Sequence, residues 1–318
     1  MTLSEKPAHL APSAISNASL PSEAEVMRDW PQGTDIPTVS ICCTAFNHVR
    51  FIEQAIQGFL VQRTRFRFEI LLHDDASTDG TADIIRNYAQ RYPRLIRPVL
   101  QQQNQYSQGR RILEILTPMC RGEYIAQCDG DDFWLDPDKL QIQVDFLSSH
   151  PDYVLSGHDA QIANEHGELI GKPKLSGRRR RDFTGEEMIR GKASMPTMSR
   201  VYRNVIRQFP PERSMVKNGD MFLMSLLGHF GDGHFHTDIQ PAVYRVHAGG
   251  IWSMMPREER VEEHINTYYW MYRYYRRIGE HAHARYFWQR FVAYVFRRGS
   301  SLELTLALLR KWFHRERT

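Results

Sequence analysis

No stretch of this 318-residue chain approaches the eighteen or more apolar residues that a bilayer-spanning helix needs. Its first residues also lack a basic segment followed by an apolar one, so neither an integral protein nor one exported by a signal peptide is expected. Cysteine is scarce: Cys42, Cys43, Cys120 and Cys128 sit in apolar runs without C-x-x-C spacing. That excludes the common zinc and redox motifs, and buried reduced thiols in a cytoplasmic protein are the expectation. Two glycine signatures are missing as well, the G-x-G-x-x-G of dinucleotide sites and the G-x-x-x-x-G-K-[ST] of P-loops. Any phosphate here must be held by something other than a glycine-rich turn. No nucleic-acid partner is expected.

What is present is an ordinary globular composition, 42% hydrophobic and 25% charged, so a sizeable core can form. The net charge of +4 is unevenly spread: from Arg257 to Thr318, 13 basic residues against 7 acidic ones leave +6, and the rest sums to −2. A basic tail on a near-neutral body needs its own explanation. Residues 1–36, rich in Ala, Ser and Pro without periodicity, read as a flexible leader. From Thr38 the pattern turns regular. TVSICCTAF reads as a buried strand, and Phe51, Ile52, Ala55, Ile56, Phe59 and Leu60 share one helical face behind it, with Asn47 as the expected N-cap. RFEILLHD, LIRPVL and EYIAQC are further strands, separated by helices over TADIIRNYAQRY and RRILEILTPMC. The order βαβαβαβ predicts an α/β fold with a mostly parallel sheet and helices on both faces.

Ligands bind such sheets at the carboxyl ends of the strands. The polar runs at those ends are CTAFNH, HDDASTDGT and CDGDDFW, and the last crowds Asp129, Asp131 and Asp132 into four positions. Like charges at that spacing repel unless a cation arrives. A solvated turn is the plain alternative, but it has no reason to stand where three such loops converge. Mg²⁺ or Mn²⁺ binds one or two carboxylates together with phosphate oxygens, so the cluster points to a metal-bound nucleotide diphosphate.

The segments PTVSICCTAFNHVRFIEQAIQGFL, FEILLHDDASTDGTADIIRNYA and GEYIAQCDGDDFW together resemble family 2 glycosyltransferases of the GT-A fold, over about residues 37–255. The resemblance implies that Thr44, Phe46 and Asn47 line a base pocket, with Phe46 stacking on a pyrimidine. It implies a hydrogen bond from Asp75 to the base, and a turn shaped by Asp74 and Ser77. Asp131 and Asp132 match the ribose and metal carboxylates, while Asp129 leaves the register open, because D-G-D and D-D both fit.

In the second half, Asp136 with Pro137 is expected to start a helix carrying Leu140, Val144 and Leu147 inward, and YVLSG and MPTMSRVYRN read as strands. Thr184 and Glu187 make a capping box. Arg178 to Arg181 read as a solvated run, with contact to an anionic acceptor as the alternative. In KNGDMFLMSLLG, Asp220 either caps the helix or serves as a base, and the resemblance implies the base of an inverting transferase. Arg245 and His247 alternate on an extended segment and so point the same way, toward a diphosphate or its metal. The metal set implied is Asp132, Asp129 and His247. Gly249 and Gly250 free the following loop. Residues 256–318 form a basic, aromatic helical region, whose surface packs on the domain, forms a homodimer contact or seats on anionic lipid.

The expectation is thus a metal-dependent inverting glycosyltransferase, using a nucleotide-diphosphate sugar such as a UDP-sugar, with a saccharide or lipid-linked acceptor of a surface polysaccharide. It would work in the cytoplasm or at the inner face of the plasma membrane. A sugar-phosphate nucleotidyltransferase and a non-catalytic nucleotide-sugar-binding module share the sheet and remain the rivals, since a fold alone does not decide function.

Overall fold

The structure is a computed structural model in which residues 20–250 and 253–298 are described. Its centre is a parallel sheet built from the apolar runs: β1 (Val39–Ala45), β2 (Phe68–Asp74), β3 (Ile96–Leu100) and β4 (Tyr124–Asp129). All seven residues of β2 are buried, as are six of the seven in β1, which is the pattern of strands covered on both faces. β1 pairs in parallel with β2 and β4, and β2 with β3. Among the helices between them are α2 (Ile52–Leu60) and α3 (Thr81–Arg91), after a short α1 (Glu23–Val26). Ile52, Ala55, Ile56, Phe59 and Leu60 are all buried, as the periodicity predicts. Gly58 is required in α2, because a Cβ there would stand 2.9 Å from the Trp134 carbonyl oxygen.

The sheet then changes direction. The full order is β3-β2-β1-β4-β7-β5-β8, with β5 (Tyr153–Gly157), β7 (Val201–Arg203) and β8 (Asp232–Phe235). β7 runs antiparallel to both β4 and β5. A second, two-stranded sheet pairs β6 (Ala160–Ala163) with β9 (Ala242–Arg245). The remaining helices are α4 (Ile112–Leu116), α5 (Lys139–Ser149), α6 (Gly185–Ile189), α7 (Gly219–Leu227), α8 (Arg257–Arg277) and α9 (His281–Arg298).

Four local expectations are corrected. Asn47 does not cap α2: it sits at φ 54°, a left-handed conformation that Asn tolerates, and α2 starts at Ile52 behind Phe51 without a side-chain cap. α5 starts at Lys139, because the Asp136 carboxylate accepts from the backbone N–H of Asp138 and of Gln240 and holds a turn there. The RRILEILTPMC helix is only α4 followed by a 3₁₀ turn, in which Pro118 cannot donate to the helical ladder. In MPTMSRVYRN only Val201–Arg203 is strand; a 3₁₀ turn at Thr197–Ser199 precedes it. The Thr184–Glu187 capping box forms as read.

Within the stretch read as a leader, Ser22 caps α1, Val26 and Trp30 are buried, and Trp30 Nε1 donates to Thr64 Oγ1 at 2.9 Å. Residues 1–19 lie outside the described residues. At the other end, Tyr268, Tyr269, Tyr275, Phe287 and Phe291 of α8 and α9 are buried in the core cluster that also contains Phe222 and Tyr202. These aromatics are packing. Arg310, Lys311, Trp312, Phe313 and Arg315 lie outside the described residues. Among the described residues, no helix is long and apolar enough to cross a membrane.

Candidate active site

The three loops converge as the topology demands. Asn47, at the end of the β1 loop, accepts from the Thr78 N–H at 2.9 Å, and its own N–H donates to Ser77 Oγ at 2.8 Å. Asp74 accepts from the Ser77 N–H at 3.0 Å, so it shapes the β2 turn. Thr44 Oγ1 donates to Asp129 Oδ1 at 2.6 Å and ties β1 to the acidic turn. Phe46 is 44% exposed, so it is not core packing but an open aromatic face at the rim. Asp75 is buried, and its two oxygens accept from the N–H groups of Gln105 and Tyr106 at 2.7 and 3.0 Å, which folds the β3 loop over the same rim.

The acidic turn is tightly wound, since a Cβ on Gly130 would lie 2.8 Å from Ile52 Cδ1 and 3.1 Å from His48 Nδ1. Its three carboxylates part company. Asp129 faces Thr44, and Asp132 Oδ1 accepts from the Arg245 N–H at 2.9 Å. Asp131 Oδ2 lies 3.0 Å from His247 Nε2 and 4.0 Å from His48 Nε2. Arg245 Nε donates to the Asp131 carbonyl oxygen at 2.8 Å and NH2 to Gln54 Oε1, while its guanidinium covers the Phe51 ring. Arg245 and His247 therefore do aim together, both at Asp131.

Electrostatics sort the cluster in the same way. Burial, then the charge of Asp131, pushes the Asp129 carboxyl up to about 7. Burial with Asp131 and Asp129 raises Asp132 well above the usual range. Burial also opposes ionisation of Asp131, but the His247 hydrogen bond and the two imidazoles outweigh it, and its pKa is lowered. The structure thus brings His48, Asp131 and His247 together with ligand atoms within 4.8 Å of one another. Burial lowers the His48 pKa, which keeps a ring nitrogen free to ligate. Its Nδ1 is buried with no hydrogen-bond partner among the described residues. Two imidazoles and a carboxylate make a mixed nitrogen–oxygen donor set that suits a divalent first-row transition ion, Mn²⁺ included, rather than the oxygen-preferring Mg²⁺. His48 was not among the residues singled out from the sequence; the one signal for it was its place in the polar run after β1.

Across the cleft, Asp220 sits in the first turn of α7. It is not the cap: Asn218 is, accepting from the Met221 N–H. The Asp220 carboxylate is instead fixed by Thr197 Oγ1 at 2.8 Å and by Arg200 NH1 at 3.1 Å. Arg200 is buried and held in turn by two hydrogen bonds to the Met195 carbonyl oxygen. Burial pulls the Asp220 carboxyl upward, but Arg200, Thr197 and Arg213 outweigh it and hold the group below the ordinary carboxylate range. Its side chain is still 52% exposed. It lies within electrostatic reach of Asp129. Arg180 pairs with Asp159 and Arg181 with Glu187, so half of the basic run is engaged in structure.

A mostly parallel sheet with an acidic turn at the carboxyl end of β4, continued by the antiparallel β7, defines a GT-A fold. Solved structures share it at low identity. TarS of Staphylococcus aureus in complex with UDP-GlcNAc aligns with a TM-score of 0.55 at 16% identity, covering 73% of this chain and 66% of that one. The mannosyltransferase PcManGT of Pyrobaculum calidifontis, in complex with GDP-Man and Mn²⁺, aligns at 0.53 and 17% identity, covering 89% and 81%. The chain belongs to glycosyl transferase family 2, whose profile matches residues 40–207. An uncharacterized protein of Mycobacterium tuberculosis is 37% identical over 215 residues, 67% of this chain and 60% of that protein. The putative teichuronic acid biosynthesis glycosyltransferase TuaG of Bacillus subtilis is 32% identical over 112 residues, 35% and 42% of the two chains. The chain spans about 60% of the length of the first of these relatives.

Proposed function

We propose that this protein transfers a sugar, with inversion, from a nucleotide-diphosphate sugar to a hydroxyl of a saccharide or lipid-linked acceptor in surface polysaccharide synthesis. The observation that carries the reading is that two built features lie within electrostatic reach of one another. On one side Asp131, His247 and His48 form a compact ligand set; on the other Arg200 and Thr197 hold the half-exposed Asp220 carboxylate. UDP is the expected nucleotide: UDP-GlcNAc occupies TarS, whereas PcManGT holds GDP-Man, and the named polymer relative supports the polysaccharide setting.

Asp131, His247 and His48 would hold a divalent ion, Mn²⁺ rather than the oxygen-preferring Mg²⁺, which when bound would supply positive charge to the departing diphosphate. Asp129 and Asp132 then stand behind the ligand set, fixing Thr44 and the Arg245 backbone. Phe46 offers its face to the base, and Asn47 and Asp75 shape the loops that frame it. Arg245 buttresses Asp131 through its carbonyl oxygen and adds charge beside the diphosphate. Asp220 accepts the acceptor hydroxyl proton while that oxygen attacks the anomeric carbon from the face opposite the nucleotide. A carboxylate held ionised is ready for that task at neutral pH. The test is turnover of UDP-sugars with and without Mn²⁺. Metal-dependent release of UDP, lost in Asp220→Asn with UDP binding retained, is the expected result; metal-independent or Asp220-independent turnover would overturn it.

A further inference from the structure

Between β6 and α6, residues 171–180 form a strap over the same cleft. The strap is pinned rather than loose. The Lys174 N–H donates to the Ala160 carbonyl oxygen at 2.8 Å, and the Leu175 N–H to Asp159 Oδ1 at 3.0 Å. Arg180 NH2 pairs with Asp159 Oδ2 at 2.6 Å. Asp159 is buried, as is the Leu175 side chain, so the strap's backbone at Lys174 is fixed by both the sheet and the core.

What this fixation presents is the Lys174 ammonium. Its Nζ lies 2.9 Å from the centroid of the Tyr244 ring on β9, the strand that also carries Arg245. Asp132, Asp220, Arg200 and Asp131 all stand within electrostatic reach. Yet among the described residues no carboxylate comes within ion-pair distance of Nζ. The ammonium rests on a π face, which holds a cation without using its N–H groups. Among the described residues its three N–H groups meet no hydrogen-bond acceptor, and the nearby carboxylates are committed elsewhere, Asp132 to the Arg245 N–H and Asp220 to Thr197 and Arg200.

We propose that Lys174 is a substrate-contacting residue whose ammonium binds an oxyanion entering the cleft between the acidic turn and Asp220, with Tyr244 as its resting seat. The inference rests on the functional reading above and deepens it. A phosphate or carboxylate oxygen is the matching chemistry, because an ammonium already facing acidic neighbours gains most from a formally charged acceptor. Two sources bring such a group to this position: the diphosphate of the donor, and an acidic substituent on the transferred sugar. Burial pushes the Lys174 ammonium down to about 8, against the raising effect of Asp132 and Asp220, so it still carries its charge at pH 7.

Isothermal titration with Mn²⁺ present separates these sources from each other and from a purely structural role. The ligands are UDP, UDP-glucose and UDP-glucuronate, and the proteins wild type, Lys174→Gln and Lys174→Arg. If the ammonium meets the diphosphate, Lys174→Gln weakens all three ligands about tenfold or more and Lys174→Arg recovers most of the loss. If it meets an acidic sugar, only UDP-glucuronate weakens. Unchanged affinity for all three in Lys174→Gln, with tighter Mn²⁺ binding alone, would mean that Lys174 merely offsets the acidic turn, and overturns the proposal. A wild-type chain that binds neither UDP nor GDP with Mn²⁺ overturns the functional reading itself, which is a different failure.

Discussion

His247 Nε2 lies 3.0 Å from Asp131 Oδ2, although the two residues are 116 positions apart. The contact closes the acidic turn from the far side: β9 hydrogen-bonds to Phe133 just beyond the turn, and the chain leaving β9 carries His247 back over it. Asp131 is thereby the one carboxylate of the three whose pKa is lowered, and the one with imidazoles on two sides.

Asp131→Ala is expected to abolish Mn²⁺ binding and Mn²⁺-dependent UDP binding together. His48→Ala should weaken Mn²⁺ by at least about tenfold, since even outer-shell partners of metal ligands are worth that much. Titration of Mn²⁺ into each variant decides; an Asp131→Ala protein with wild-type metal affinity would remove the assignment.

Asp220→Asn should lower turnover by at least about a hundredfold with little effect on UDP affinity. The α7 cap should survive, because Asn218 and not Asp220 makes it, while the buried Arg200 loses its carboxylate partner and the melting temperature should fall modestly. Single-turnover rates beside a thermal melt separate chemistry from stability, and a fast Asp220→Asn enzyme would place the base elsewhere.

Glu69 is expected to contribute to acid sensitivity. Its buried carboxylate accepts from Ser40 Oγ, the Arg121 N–H and the guanidinium groups of Arg97 and Arg121. Burial raises its pKa, but these four contacts outweigh burial and leave it lowered. A carboxylate depressed by folding contributes stability above its unfolded pKa and loses it as pH falls through the folded value. Glu69→Gln should therefore cost about 1–3 kcal/mol at pH 7, and the difference from wild type should shrink below pH 4. Urea titrations at both pH values measure it.

Phe287→Ala, in the fully buried contact between α9 and Tyr275, should destabilise the whole protein by about 3–5 kcal/mol. A calorimetric melt with one transition, lowered as a unit, is the expected result; loss of a separate early transition would show that the two last helices fold on their own.

How far the sequence could be read depended on the range of the interaction. Ile41, Ile70 and Ile125 form strands because apolar runs and their spacing are local, and the carboxyl-end placement of Asp129, Asp131 and Asp132 followed from strand order. Asn47 was misread because a residue fit to cap a helix is equally fit for a left-handed turn, and the choice was made by Thr78 and Ser77, some thirty residues away. The division of labour among the three aspartates depends on Thr44, Arg245 and His247, none of which is a sequence neighbour. Lys174 was invisible for the same reason: nothing in GKPKLSG says that Asp159 will pin it above Tyr244.

The position of β7 has a mechanical meaning. Hydrogen-bonded to β4 on one side and to β5 on the other, it makes one continuous sheet run beneath both Asp131 and Asp220. The turn that carries Asp131 and the segment that holds Asp220 are thus not two bodies that could swing together on a hinge. The span between Asp131 and Asp220 is set when the chain folds, and whatever binds between them must adapt to that gauge. Variation in what can be accepted falls to the segments laid over the sheet, the turn at 105–111 and the pinned strap at 171–180. A linkage of a different length therefore calls for a different strap rather than a different sheet.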